Sequence, residues 1–166
     1  MSQIRIIHIV AIVVCQQLAY AQTIPEPVLD GRAVYIQEDG NGIFLEQQRA
    51  EQYGGHSNLK GFSSSIRLDG DRFHEFIVRV DYSGNANEHI RIFRLKHKSH
   101  HTHAKDHRYI HLPHHEVERI ETIGFDYVSF GESSLRITLK NKLTPGEYAI
   151  TYGPNIHDVF NLFGVD

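Results

Sequence analysis

Eight histidines fall within nineteen residues: His97, His100, His101, His103, His107, His111, His114 and His115. Neutral imidazole is the commonest side-chain ligand for Zn²⁺, Cu²⁺ and Ni²⁺, so the first chemistry this segment suggests is metal binding. Two backbone forms would bring ligands together. On an extended chain His101 and His103 lie on one side, whereas a helical turn would align His103, His107 and His111 at i, i+4 spacing, ended by Pro113. A structural zinc site normally has one tight ligand set with one compatible geometry, and this segment offers several. The candidate ligands are His97, His100, His101, His103 and His107. The sequence demands no cofactor, and it is compatible with binding or buffering of Zn, Cu or Ni.

The same segment is basic. Arg94, Lys96, Lys98, Lys105 and Arg108 stand against Asp106 alone, so 5 − 1 gives +4 before any imidazole is protonated. Histidine titrates near pH ~6.5, so mild acid would raise that charge. A hairpin of this kind suits attachment to an acidic glycan, to phosphates of the cell envelope or to an acidic protein. The plain alternative is a solvated, charged hairpin tip.

Catalytic patterns are missing. The chain has no Gly-x-Ser-x-Gly elbow, phosphate-binding loop, dinucleotide fingerprint, His-Glu-x-x-His or calcium-loop pattern. Glu116, Glu118 and Glu121 are near one another, but a glycosidase needs two carboxylates at a defined separation that spacing cannot supply. Asp69 and Asp71 flank Gly70 and read as turn residues. His56 falls in a turn-like Gly54-Gly-His-Ser-Asn58 stretch and is a minor site candidate, while His74 and His157 read as surface or hydrogen-bonded histidines. The expectation is a protein that binds or scaffolds and does not catalyse, with an enzyme of unrecognised type as the further alternative.

The elements that must carry these residues are short strands. Ala33–Gln37 and Ile43–Gln47 flank Asp39-Gly-Asn-Gly42, a hairpin signal. Ser64–Leu68 and Phe73–Val80 flank Asp69-Gly70, with His74, Phe76, Val78 and Val80 expected to face the core. Ile90–Leu95 follows, with Ile90, Ile92 and Phe93 competing for the interior, and then Tyr109–Leu112. Glu121–Ser129, Ser134–Lys140, Glu147–Tyr152 and Val159–Val165 complete the series. Phe44–Tyr53 alone has a helical alternative. Eight to ten short strands without a long amphipathic helix predict an all-β domain, a single antiparallel β-sandwich of Ig-like or jelly-roll-like type. The domain is expected over 32–166, with a hairpin loop at 97–107.

Met1–Ala21 reads as a secretory signal peptide, with Arg5 before an apolar run from Ile6 to Cys15 and Ala19-Tyr20-Ala21 at its end. Residues 22–31, with Pro25 and Pro27, read as an extended leader. The full chain has 166 residues and a formal charge of −3. Removing the signal leaves 16 basic and 20 acidic residues, 16 − 20 = −4, and takes away the only cysteine. Disulfides and thiolate chemistry are then excluded, stability must come from the core, and the charge argues against nucleic acid as a partner. No second apolar stretch is long enough for a membrane span. The expectation is a soluble monomer in the periplasm or at the cell surface.

Leu143-Thr-Pro-Gly-Glu-Tyr-Ala-Ile150 and Val159-Phe-Asn-Leu-Phe-Gly-Val-Asp166 carry a resemblance. They resemble the closing strands of an uncharacterised group of small secreted β-sandwich proteins of Bacteroidetes. The likeness extends loosely through Leu45-Glu46, Ile66-Arg-Leu-Asp-Gly70 and Ile90–Lys96. It implies fold and export, and brings no catalytic motif. From the residues alone, Pro145-Gly146 reads as a turn, with Tyr148 and Ile150 on one face and Phe160 and Leu162 pairing with them.

Overall fold

A computed structural model describes residues 24, 26–53, 56–61, 63–80, 86–98, 107–111, 122–153 and 159–166. The segment 1–21, read above as a signal peptide, lies outside them. The described chain is almost entirely β, with one helical turn, α1 (Ala86–His89). Sheet A has the order β11 (Phe125–Phe130), β12 (Ser134–Leu139), β7 (Glu75–Arg79), β1 (Ala33–Ile36), β2 (Gly42–Phe44). Sheet B runs β3 (Glu46–Arg49), β14 (Val159–Val165), β13 (Gly146–Tyr152), β8 (Ile90–Arg94), with β6 (Arg67–Leu68) added parallel to β14. Sheet C runs β4 (Glu51–Tyr53), β5 (His56–Lys60), β10 (His107–His111), β9 (Lys96–Lys98). Every pairing except β6–β14 is antiparallel. The expected antiparallel β-sandwich is formed by sheets A and B, and sheet C is an addition to it.

The central strands of sheet B, β13 and β14, are buried on both faces. Ile90, Ile92, Tyr148, Ile150, Phe163 and Val165 pack against Phe76, Val78, Ile137 and Leu139 of sheet A. Phe93, Ala149, Phe160 and Leu162 turn the other way and pack with Leu59 of sheet C. The competition among Ile90, Ile92 and Phe93 is thus settled by two interiors, one on each side. The register also corrects an expected pairing. Tyr148 lies opposite Phe163, their rings stacked at 5.5 Å, and Ile150 lies opposite Asn161. Phe160 and Leu162 belong to the second interior, because a strand buried on both sides carries no polar face to fix the phase.

Single residues move the chain between sheets. The run Gly42–Tyr53 passes through all three, turning at Leu45 and again at Ala50. Leu45 is buried and its N–H donates to the Ala33 carbonyl at 3.0 Å. On the opposite edge of sheet B, Leu95 separates β8 from β9 and its N–H donates to the Glu147 carbonyl at 2.8 Å. Sheets B and C therefore share both outer strands, in the way strands turn corners between crossed sheets. The helical alternative for Phe44–Tyr53 is overturned; these corners break the alternation that would have marked one strand.

The leader is docked across the outer face of sheet A. The Glu26 carboxylate accepts from the N–H groups of Glu132 (3.1 Å) and Ser133 (2.7 Å), which hold it below the usual carboxylate range. Arg79 donates to the Pro27 carbonyl at 3.1 Å and pairs with Asp30 at 3.2 Å. Pro27 is buried, and Val34 and Ile77 on this outer face are as sheltered as core residues. The expected inward set of β7 holds, with His74, Phe76 and Val78 buried and Val80 partly buried against the core, and the docked segment shelters Ile77 on the other face as well.

Two polar groups connect the layers. Asn161, inside sheet B, accepts from the Ala33 N–H at 3.1 Å and donates to the carbonyls of Gly31 (2.7 Å) and Ile150 (3.2 Å). Glu147, 4% exposed, accepts from the Ser64 N–H (2.7 Å) and hydroxyl (2.9 Å), and its other oxygen pairs with the Arg67 guanidinium. Arg67 continues to Asp166 at 2.6 Å and to the Val165 carbonyl at 3.1 Å. To reach Glu147 it lies flat over Gly164, where any Cβ would fall on the guanidinium. Replacing Gly164 with Ala should displace Arg67 and leave the buried carboxylate without its cation. The expected loss is about 3 kcal/mol, the low end for removing one partner of a buried pair, because the Arg67 side chain stays 35% open to solvent. Urea unfolding will measure it. A change within about 0.5 kcal/mol, the usual range for an innocuous surface substitution, would show that Arg67 leaves the strand freely.

Candidate functional site

The histidine-rich strands lie in sheet C, whose two faces have different chemistry. Leu59 of β5, 1% exposed, sets the inward parity by packing on sheet B. Arg108 and His97 share its row, since β5–β10 pairs Leu59 with Arg108 and β10–β9 pairs Arg108 with His97. The neighbouring rows have outward parity. One contains Lys60, His107 and Lys98; the next contains Glu51, Asn58, Tyr109 and Lys96; the last contains Tyr53, His56 and His111. Lys60, Lys96 and Glu51 are exposed, as that parity requires.

The outward positions thus carry three lysines, three histidines, two tyrosines and one asparagine against one carboxylate, Glu51. Glu51 pairs with Lys60 at 3.2 Å, an exposed contact of small energetic value. Gln48 of sheet B anchors this edge: its side-chain oxygen accepts from the Lys60 N–H at 3.0 Å and its amide donates to the Lys60 carbonyl at 3.3 Å. The side chain of Gln48 thereby takes the place of a neighbouring strand.

Of the five predicted metal ligands, only His97 and His107 have a described backbone position. His97 and His107 occupy rows of opposite parity, and His100, His101 and His103 lie outside the described residues, as do His114, His115, His157, Glu116, Glu118 and Glu121. Among the described residues no group of three or more His, Cys, Asp or Glu side chains is arranged to hold a metal ion. The basic set is divided as well. Arg94 donates to the Pro145 carbonyl at 2.7 Å, which commits it to sheet B, and Arg108 takes an inward position. Sequence reasoning missed Lys60, Asn58 and Tyr53 as members of this face. It also placed His56 in a turn, whereas His56 begins β5 opposite His111. The only available signal was the period-two polar pattern around Leu59, too short to stand out.

His74 differs from its expected surface or hydrogen-bonded role. It is fully buried ahead of β7, with its ring edge toward Tyr35 at 5.7 Å, and neither ring nitrogen completes a hydrogen bond among the described residues. Burial holds the imidazole below its ordinary value; the backbone and carboxylate of Asp69 oppose this in part, and Arg72 adds to it. The unfolded chain then takes up this proton more readily than the folded one. Stability linked to His74 is complete above the unfolded value of ~6.5 and is lost as pH falls toward the depressed folded value. Substituting Leu should remove that acid-side loss and relieve two unpaired nitrogens, a gain of about 1 kcal/mol at neutral pH and more at pH 5. Urea midpoints from pH 5 to 8 test this, and a variant less stable than wild type at pH 5 refutes it.

No family model, curated protein or solved structure matches this chain.

Proposed function

We propose that this protein is an exported, non-catalytic binding module of the periplasm or cell surface, and that the outward face of sheet C is its contact surface for an acidic glycan. The observation that carries this reading is the register of β4–β5–β10–β9, which puts Lys60, Lys96 and Lys98 at positions of one parity, where Glu51 is the one carboxylate among the described positions. Tyr53 and Tyr109 share that parity, and tyrosine suits sugar contact because it offers an apolar ring with a polar tip. Export rests on the signal-peptide reading of residues 1–21, and no helix among the described residues is long and apolar enough to cross a membrane.

A binding role is also supported by what the buried and half-buried polar groups do. Glu147 joins Ser64 to Arg67, Glu75 joins Thr138 to Arg136, and Asn161 joins three strands. Each is occupied in holding elements together.

Chromatography on immobilised heparin, a model sulfated glycan, tests the reading. Wild-type protein should be retained at low salt and released as salt rises. Replacing Lys60, Lys96 and Lys98 with Ala should weaken binding roughly threefold to a hundredfold, since three exposed charge contacts contribute about 0.2–1 kcal/mol each. Retention unchanged by the triple substitution would rule this face out.

A further inference from the structure

The leader occupies the outer face of sheet A as a ligand occupies a groove. Ile24 and Glu26, two positions apart, both turn to the sheet. Ile24 reaches β2, where a Cβ on Gly42 would come within 2.9 Å of its Cγ2 atom. The Glu26 carboxylate reaches the other end, where it accepts from the N–H groups of Glu132 and Ser133, and a Cβ on Gly131 would fall on that carboxylate. Two glycines thus leave the space that the segment fills. Pro27 is buried beside it with its carbonyl held by Arg79, and Val34 and Ile77, directly paired on this face, are sheltered. The first strand of the sheet begins only at Ala33, so side chains and a few single hydrogen bonds hold this segment, and no ladder does.

The residues that follow have the form of a hinge. The Arg32 N–H donates to the Leu29 carbonyl at 3.1 Å, and Gly31 has a φ of 68°, a left-handed conformation that suits a tight reversal. Val28 and Leu29, in that turn, are 82% and 62% exposed and add little to the packing of one copy. We propose that the outer face of sheet A is a docking groove for residues 24–27 of a second copy of this chain, so that two copies exchange leaders about the turn at 28–31. An exchanged segment makes the same contacts with the same groove, which is why exchange of an identical element is a low-cost route to a dimer. Where the two leaders cross, Val28 and Leu29 of both copies come together and leave water. The groove gains no new contact, and a copy's own leader competes at high effective concentration. The dimer therefore forms only as protein concentration rises, in equilibrium with the expected monomer.

A synthetic peptide of residues 22–31 tests the groove. In Glu26→Ala the resident segment is weakened, while the donors on Glu132 and Ser133 remain. The peptide should bind this variant roughly tenfold or more tightly than wild type, since a segment already in place reduces apparent affinity, and should raise its urea midpoint by mass action. The same peptide with Ala in place of its Glu should do neither. An equal response to both peptides, or no response to either, would overturn the groove. Sedimentation of the wild-type chain tests the second copy. A dimer should appear toward millimolar concentration, and replacing Val28 and Leu29 with Ser should weaken it roughly tenfold while the urea midpoint stays unchanged, because both side chains are exposed in the monomer. A single species of monomer mass throughout, or a dimer indifferent to that double substitution, rules out the exchange. Neither test involves sheet C, so failure here leaves the heparin reading untouched, and the reverse.

Discussion

The crossing of Arg67 over Gly164 to reach Glu147 is the contact on which the remaining architecture depends. β13 and β14 are the central strands of a sheet with an apolar interior on each side, so a charged group among them is tolerable only when paired. Glu147 is such a group, and its partners come from the short segment around β6. The same guanidinium bonds Asp166, whose own carboxyl it holds below the usual range, and Gly70 donates to the Asp166 carbonyl at 3.3 Å. A Cβ at Gly70 would lie 2.8 Å from that carbonyl oxygen, so this turn also relies on close backbone approach. Glu147, Gly164 and Asp166 are residues of the C-terminal motif, and Arg67 and Gly70 belong to the Ile66–Gly70 stretch. The two stretches form one structural clamp.

This explains why some of the fold was legible in the sequence and some was not. β12 faces one interior, and Leu135, Ile137 and Leu139 mark it by simple alternation. In β14 every residue from Phe160 to Val165 is buried, which removes the alternation that would have fixed which residues pair. The corners at Leu45, Ala50 and Leu95 were hidden for a related reason. A corner reverses the inward parity, so two correctly alternating halves read together as an irregular run. The docked leader was hidden because Pro27 and Glu26 stabilise sheet A through contacts with Arg79, Glu132 and Ser133, distant in sequence and marked by no periodicity.

The candidate site was legible as composition and not as geometry. The density of histidines between His97 and His115 stood out, but position along the chain says nothing about which residues share a face. Pairing decides that. It places His97 with Leu59 and Arg108, brings Lys60 beside His107, and recruits His56 from a stretch that had looked like a turn. Two residues adjacent across a ladder can be far apart in sequence, so no spacing rule within the histidine segment could have found the pair.

Sheet C is held to the rest of the fold at its edges and through its centre. Its edge strands β4 and β9 continue strands of sheet B through Ala50 and Leu95, so the main core holds them in place. Its central strands β5 and β10 pair along a five-residue ladder, and Leu59 of β5 packs into the buried cluster beneath. The outward parity of the sheet therefore follows from Leu59: once that residue is committed to the interior, the register assigns Lys60 and Asn58 to the other face, and Lys96 with them.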